Sequence, residues 1–163
     1  HWPLIGFIAR AIGTFFIRRG AGGSKPLLDK LKPHLAAGGS VVIFPEGTTT
    51  DGRSVLPFHP RLFQAALDCQ APVQPVALRY GLSDGGEDIA PFIGDDELVA
   101  HISRMLKSTS LTAELIYCPP LLPEHYSDRM TMARDAEEAI RRAVAPDAGW
   151  KRPALLELHD EAA

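Results

Sequence analysis

Apolar residues along this chain recur with two periods: every three to four positions in some segments, and in short β-branched or alternating runs in others. These periods separate helices from strands. Residues 4–17 form the most apolar stretch; read as a helix, it puts Ile5, Ile8, Ala9, Ile12 and Phe16 on one stripe and turns Arg10 away. It is too short to span a bilayer. Trp2 at its start suits a membrane interface, while the more ordinary reading is a core-packing helix followed by a strand over 14–18. Ser24 can cap a helix with Pro26 in its first turn, which Gly38-Gly39 ends. The run Val41-Val42-Ile43-Phe44, bounded by glycines and Pro45, predicts a buried strand. A short helix is expected over 60–68, with Leu62, Phe63, Ala66 and Leu67 inward, then a strand over 73–80 and a polar, acidic loop over 81–94. A helix follows from Asp95 or Asp96 to about Leu106, then an alternating strand over 111–117. Pro119 to Pro123 break the chain, and Ser127 caps a last helix running to about Val144.

Strands alternating with helices predict an α/β fold: a single domain with a mainly parallel sheet flanked by helices. Residues 1–145 form that domain, and 146–163 a loosely packed tail that Trp150, Leu155, Leu156 and Leu158 can tack down. The chain has 163 residues, enough for one real core, and 45% are hydrophobic, which excludes both a disordered chain and an integral membrane protein. A formal charge of −3 argues against a dedicated nucleic-acid binder. Cys69 and Cys118 are too few for a disulfide framework or a cysteine metal site, which favours a reducing, cytoplasmic-side environment. The first residue is His and no signal core follows a charged start, so the chain reads as a fragment or processed piece.

Two blocks carry chemistry. Phe44-Pro45-Glu46-Gly47-Thr48 follows a predicted strand: Pro45 halts a ladder, Gly47 admits close backbone approach, and Glu46 and Thr48 offer a carboxylate and a hydroxyl at the strand's C-terminal end, where α/β sheets bind ligands. Such a Glu can accept hydrogen bonds from substrate hydroxyls. Gly13-Thr14-Phe15-Phe16-Ile17-Arg18-Arg19-Gly20 sends two guanidinium forks from the end of an apolar run, a geometry matched to phosphate oxygens. Each block alone is equally the profile of an ordinary turn or a solvated strand end.

In order and spacing the two together resemble conserved blocks of the glycerophospholipid acyltransferase family, which includes the lysophosphatidic acid acyltransferases. Residues 13–19 resemble its Gly-x-x-Phe-Ile-x-Arg block, residues 44–48 its Phe-Pro-Glu-Gly-Thr block, and Ala71-Pro72-Val73-Gln74-Pro75-Val76 its proline-bearing block; the likeness covers about residues 1–80. The resemblance implies a glycerolipid acyltransferase-like fold and transfer of a fatty acyl group from an acyl thioester, acyl-CoA or acyl-carrier protein, to the free hydroxyl of a 1-acylglycerol-3-phosphate-like lysophospholipid in phospholipid biosynthesis. It implies no bound cofactor and no metal. Arg19, helped by Arg18, would hold the acceptor phosphate; Glu46, Gly47 and Thr48 would line the glycerol site; Pro72 and Val73 would border the acyl side. The enzyme would be peripheral to the cytoplasmic face of a membrane, the inner membrane if bacterial, and would bind no nucleic acid.

The family's general base is a His in a His-x-x-x-x-Asp block. None of His1, His34, His59, His101, His125 and His159 has Asp five positions on; after His59 that place holds Gln64. The family's pair precedes the arginine block, so it is expected upstream of His1, and the chain is expected to be inactive alone. Thr49 stands where relatives often carry Arg. Phe58-His59-Pro60-Arg61-Leu62-Phe63 only partly resembles a Phe-Lys-x-Gly-x-Phe stretch, with His59 in place of the Lys and Arg61 in place of the Gly. Arg61 can substitute as a headgroup contact or simply be exposed.

Two rival readings remain. Gly81-Leu82-Ser83-Asp84-Gly85 matches the serine-hydrolase Gly-x-Ser-x-Gly pattern, but the elbow needs a helix directly after the serine, and Gly86-Glu87-Asp88-Ile89-Ala90-Pro91 is a poor one. The other rival is a non-catalytic lipid-binding or interaction domain that kept the acceptor site without the base.

Overall fold

The computed structural model describes residues 25–82 and 89–145, together with Phe7, Ala11 and Gly13. Helix α1 spans Lys25–Ala36; a 3-10 turn at Pro60–Phe63 runs directly into the short α2, Gln64–Asp68. Strand β1 (Val76–Leu82), helix α3 (Leu98–Lys107), strand β2 (Leu111–Tyr117), a 3-10 turn (Pro123–His125) and helix α4 (Arg129–Val144) follow. Alternation of helices and strands bears out the α/β class.

The two strands pair antiparallel, Val76 opposite Tyr117 and Leu82 opposite Leu111. This corrects the expected mainly parallel sheet for the ladder among the described residues. The connection carrying α3 leaves and re-enters at the same end of the sheet, which reverses the chain direction. An alternating pattern reports that a strand exists and is silent about its direction. Val41 to Phe44 differs too: it is not a strand, and Val42 and Phe44 are 82% and 77% exposed. Its β-branched composition favours extended backbone, but a strand needs a hydrogen-bonded neighbour, and none pairs with it among the described residues.

Most other boundaries agree closely with the hydrophobic pattern. α1 ends as expected, with Gly38 at φ +81° and the Gly39 N–H donating to the His34 carbonyl at 2.9 Å. α4 is capped by Asp128, one residue after the expected Ser127; its carboxylate accepts from the N–H groups of Met130 and Thr131 at 2.7 and 3.0 Å. Ser24, residues 14–18 and the tail 146–163 lie outside the described residues.

The core has two parts that share Leu62. In one, Phe58, Phe63, Met132, Ala133 and Ala136 are buried, flanked by Val55, Val73 and Leu121. In the other, Leu31 and Ala65 are buried with Leu28, Leu35 and Val41 against them. On α4, Met132, Ala133, Ala136 and Ile140 fall on one stripe, so the helix lies over the 3-10 turn and β1. Arg79 on β1 donates to the Ala143 carbonyl in the last turn of α4, satisfying an acceptor that the helix itself leaves open. This packing fixes residues 55–63, on which the candidate site rests.

Hydrogen bonds from Thr131, through its N–H and hydroxyl, and from the Met130 N–H hold the Asp128 carboxyl below the ordinary carboxylate range. A lowered folded-state value stabilises the fold above the unfolded value of about 3.9, and the contribution is lost as pH falls through the lowered folded value. Asp128→Ala therefore lowers the thermal midpoint at neutral pH. Thermal scans across pH 7 to 2 should show the gap between variant and parent closing in acid.

Candidate functional site

The segment 44–48 is a tight turn. The Gly47 N–H donates to the Phe44 carbonyl at 3.1 Å, and Gly47 adopts φ +72°, the left-handed region in which glycine avoids a Cβ penalty. Glu46 folds back across the loop, and its Oε2 accepts from the Leu56 N–H at 2.8 Å. The His59 N–H donates to the Pro45 carbonyl at 2.9 Å. The His59 ring lies against Gly47 so closely that a Cβ there would sit 3.0 Å from Nε2 and 3.1 Å from Cδ2. Two hydrogen bonds and one close contact thus lace 45–47 to 56–59.

Core residues in turn hold that second segment. Phe58 is buried, its ring stacks on Phe63 with centroids 6.4 Å apart, and its N–H donates to Glu137 Oε2 on α4 at 3.1 Å. Pro60 restricts the residue before it, and His59 is extended at φ −72°, ψ 105°. Between the laced segments the chain bulges into solvent. There the Thr50 hydroxyl accepts from the Gly52 N–H at 3.1 Å and Asp51 Oδ1 from the Arg53 N–H at 3.0 Å, local bonds that shape the loop. The Arg53–Asp51 ion pair, 3.9 Å and solvated, adds little.

Of the residues singled out from sequence, Glu46, Gly47 and Thr48 share this turn: Glu46 is half-buried, and Gly47 and Thr48 are exposed. One Glu46 oxygen is committed to Leu56, while the other has no hydrogen-bond partner among the described residues. The carboxylate is therefore aimed, with acceptor capacity remaining for a ligand hydroxyl. Arg18 and Arg19 lie outside the described residues. Val73 exchanges backbone hydrogen bonds with Leu121 at 3.0 and 2.8 Å and packs on the core, while the neighbouring Pro72 is exposed. Arg61 is exposed on the 3-10 turn. Ser83 lies outside the described residues; residues 89–97 carry no helix, and α3 starts only at Leu98.

Sequence reasoning missed the two groups that orient the site. The Leu56 N–H is a backbone donor that no side-chain pattern reveals, and Glu137 lies 79 positions from the Phe58 amide it accepts from. The only signal for the lacing was Pro60, which marks the residue before it as extended.

Comparison with known proteins gives a consistent picture. Residues 1–79 match the family model described as Acyltransferase. The chain is 42% identical over 143 residues to the lyso-ornithine lipid O-acyltransferase of Pseudomonas aeruginosa, covering 88% of this chain and 55% of that protein. It is 33% identical to the 1-acyl-sn-glycerol-3-phosphate acyltransferase of Neisseria gonorrhoeae, covering 90% of this chain and 58% of that protein. The crystal structure of the 1-acyl-sn-glycerophosphate acyltransferase of Thermotoga maritima superposes with a TM-score of 0.61 at 22% identity, over 91% of this chain and 53% of that one. The chain thus spans about half the length of the relatives it matches.

Gly47 is constrained twice, by its φ and by the His59 ring. Gly47→Ala should cost about 1–2 kcal/mol, from the left-handed backbone alone and more from the contact. In urea denaturation, Gly47→Ala combined with His59→Ala should recover the contact part and retain the backbone part.

Proposed function

The chain belongs to the glycerophospholipid acyltransferase family, and we propose that it carries the acceptor-binding part of an enzyme that transfers a fatty acyl group to the free hydroxyl of a single-chain lipid. The observation that carries this reading is the Glu46 carboxylate: one oxygen is held by the Leu56 N–H and the other is available, in a turn whose sequence matches the family's Phe-Pro-Glu-Gly-Thr block. On binding, the acceptor hydroxyl donates to Glu46, which brings its oxygen up to the incoming thioester carbonyl; for attack the hydroxyl turns its single proton from Glu46 to the general base. The donor is an acyl thioester, on coenzyme A or acyl-carrier protein. The acceptor oxygen attacks the carbonyl carbon, the thiolate leaves, and the hydroxyl proton passes to a general base. Arg19, with Arg18 beside it in sequence, serves the acceptor headgroup in this scheme.

The acceptor we favour is 1-acylglycerol-3-phosphate-like, in phospholipid biosynthesis at the cytoplasmic face of a membrane. Among the described residues no helix is long and apolar enough to cross one. A second reading has a specific observation behind it. Thr49 stands where relatives often carry an arginine, and the 42%-identical relative is named for lyso-ornithine lipid. An ornithine headgroup offers an amine and a carboxylate where the first acceptor has a phosphate, and needs fewer cations around it.

Two measurements test the proposal. Glu46→Gln in the full-length protein keeps a carbonyl oxygen for the Leu56 N–H and loses the charge. Turnover should fall roughly ten- to a hundredfold, the worth of one charge-assisted hydrogen bond of about 1.5–3 kcal/mol, with the circular dichroism spectrum unchanged; parental rates would make Glu46 a bystander. The base is proposed to come from a His-x-x-x-x-Asp pair outside residues 1–163, so the purified 163-residue chain should show no turnover with either acceptor.

A further inference from the structure

We infer that His59 reads the charge of the acceptor headgroup and sets which class of lysolipid the enzyme prefers, an inference that rests on the acyltransferase reading above. His59 is exposed, yet its backbone is fixed on every side. The buried Phe58 and its bond to Glu137 precede it, Pro60 follows it, and its own N–H is given to Pro45. A side chain on such a backbone is presented to solvent from a constant place. That place is the surface of the Glu46-Gly47 turn, where only the missing Cβ of Gly47 lets the imidazole settle.

Neither ring nitrogen of His59 has a hydrogen-bond partner among the described residues, and the same holds for the second oxygen of Glu46. One turn therefore displays an acceptor-only carboxylate beside a ring that can donate and accept. Glu137 is occupied by the Phe58 N–H and Arg141, and Arg61 is exposed two positions along on the 3-10 turn. A lysolipid whose hydroxyl donates to Glu46 brings the adjoining headgroup toward His59. The imidazole there can accept from an amine or donate to an anion, whereas a fixed cation favours a phosphate over a headgroup that carries its own amine.

The test uses the full-length protein with two acceptors presented in the same detergent micelles, 1-acylglycerol-3-phosphate and lyso-ornithine lipid. KM and kcat are measured for the parent, His59→Lys and His59→Gln. With His59→Lys the ratio of the two KM values should move about three- to fivefold toward the phosphorylated acceptor, the size expected of one solvated ionic contact. His59→Gln, which like the imidazole offers both a donor and an acceptor, should leave the ratio near the parental value, and the His59→Lys shift should appear in KM more than in kcat. An active enzyme whose KM ratio is the same in all three proteins would overturn the role of His59 and leave the acyltransferase reading standing. A parent that acylates neither lipid would remove that reading, and the role of His59 with it.

Discussion

The hydrogen bond from the Leu56 amide to Glu46 is the constraint on which the rest of the site depends. A glutamate on an exposed turn normally samples several rotamers, and fixing one costs on the order of 1–2 kcal/mol in entropy. Here a backbone donor supplies the restraint, at 2.8 Å, and the donor is itself immobile because Val55 and Phe58 on either side of it are tied to the core. Without that bond, the carboxylate would be one more solvated charge in a loop that holds Asp51 and Arg53 as well.

This arrangement explains why the core is built as it is. Leu62 joins the two apolar clusters, so α1, the 3-10 turn and α4 pack into one continuous core. Glu137 adds a polar tie from α4 to the Phe58 amide, and Arg141 neutralises its other oxygen. The laced segment 56–59 thus inherits the rigidity of a sixteen-residue helix although it is itself without regular structure. A site on a loop gains precision in proportion to how completely its supporting backbone is pinned.

Caps, glycine and proline stops and apolar spacing made α1, α2, α3 and α4 legible in the sequence, as the apolar run over 73–80 and the alternation over 111–117 did for β1 and β2, because those signals are local. Strand direction was not legible: Leu82 opposite Leu111 is a pairing across the α3 connection, and both directions satisfy the same alternation. The 41–44 run misled for a related reason, since Val42 and Phe44 have strand composition while the neighbour that would make a ladder is a tertiary matter. At the site, Glu46, Gly47 and Thr48 were singled out because their block resembles the family's Phe-Pro-Glu-Gly-Thr block; residue types and spacing alone fit an ordinary turn equally well. The lacing was hidden because it is made by main-chain groups of Pro45, Leu56 and His59 and by the hydrogen that glycine has in place of a side chain.

Among the described histidines, His34 and His101 have ring nitrogens committed within the fold. His101 is buried beside Phe92, with Nδ1 2.9 Å from an Arg104 nitrogen. Arginine can only donate, so Nδ1 is the acceptor and that lone pair is taken. The Nε2 of His34 bonds the Ser40 carbonyl, and a carbonyl only accepts, so that nitrogen carries a proton and finishes the end of α1. His59 stands beside the acceptor turn, but no carboxylate hydrogen-bonds its ring among the described residues, and Glu46 is turned toward Leu56. A general base needs a second group that holds its ring and steadies the charge it gains. In the proposed scheme the turn holds the acceptor, and the proton goes to a histidine paired with its own carboxylate.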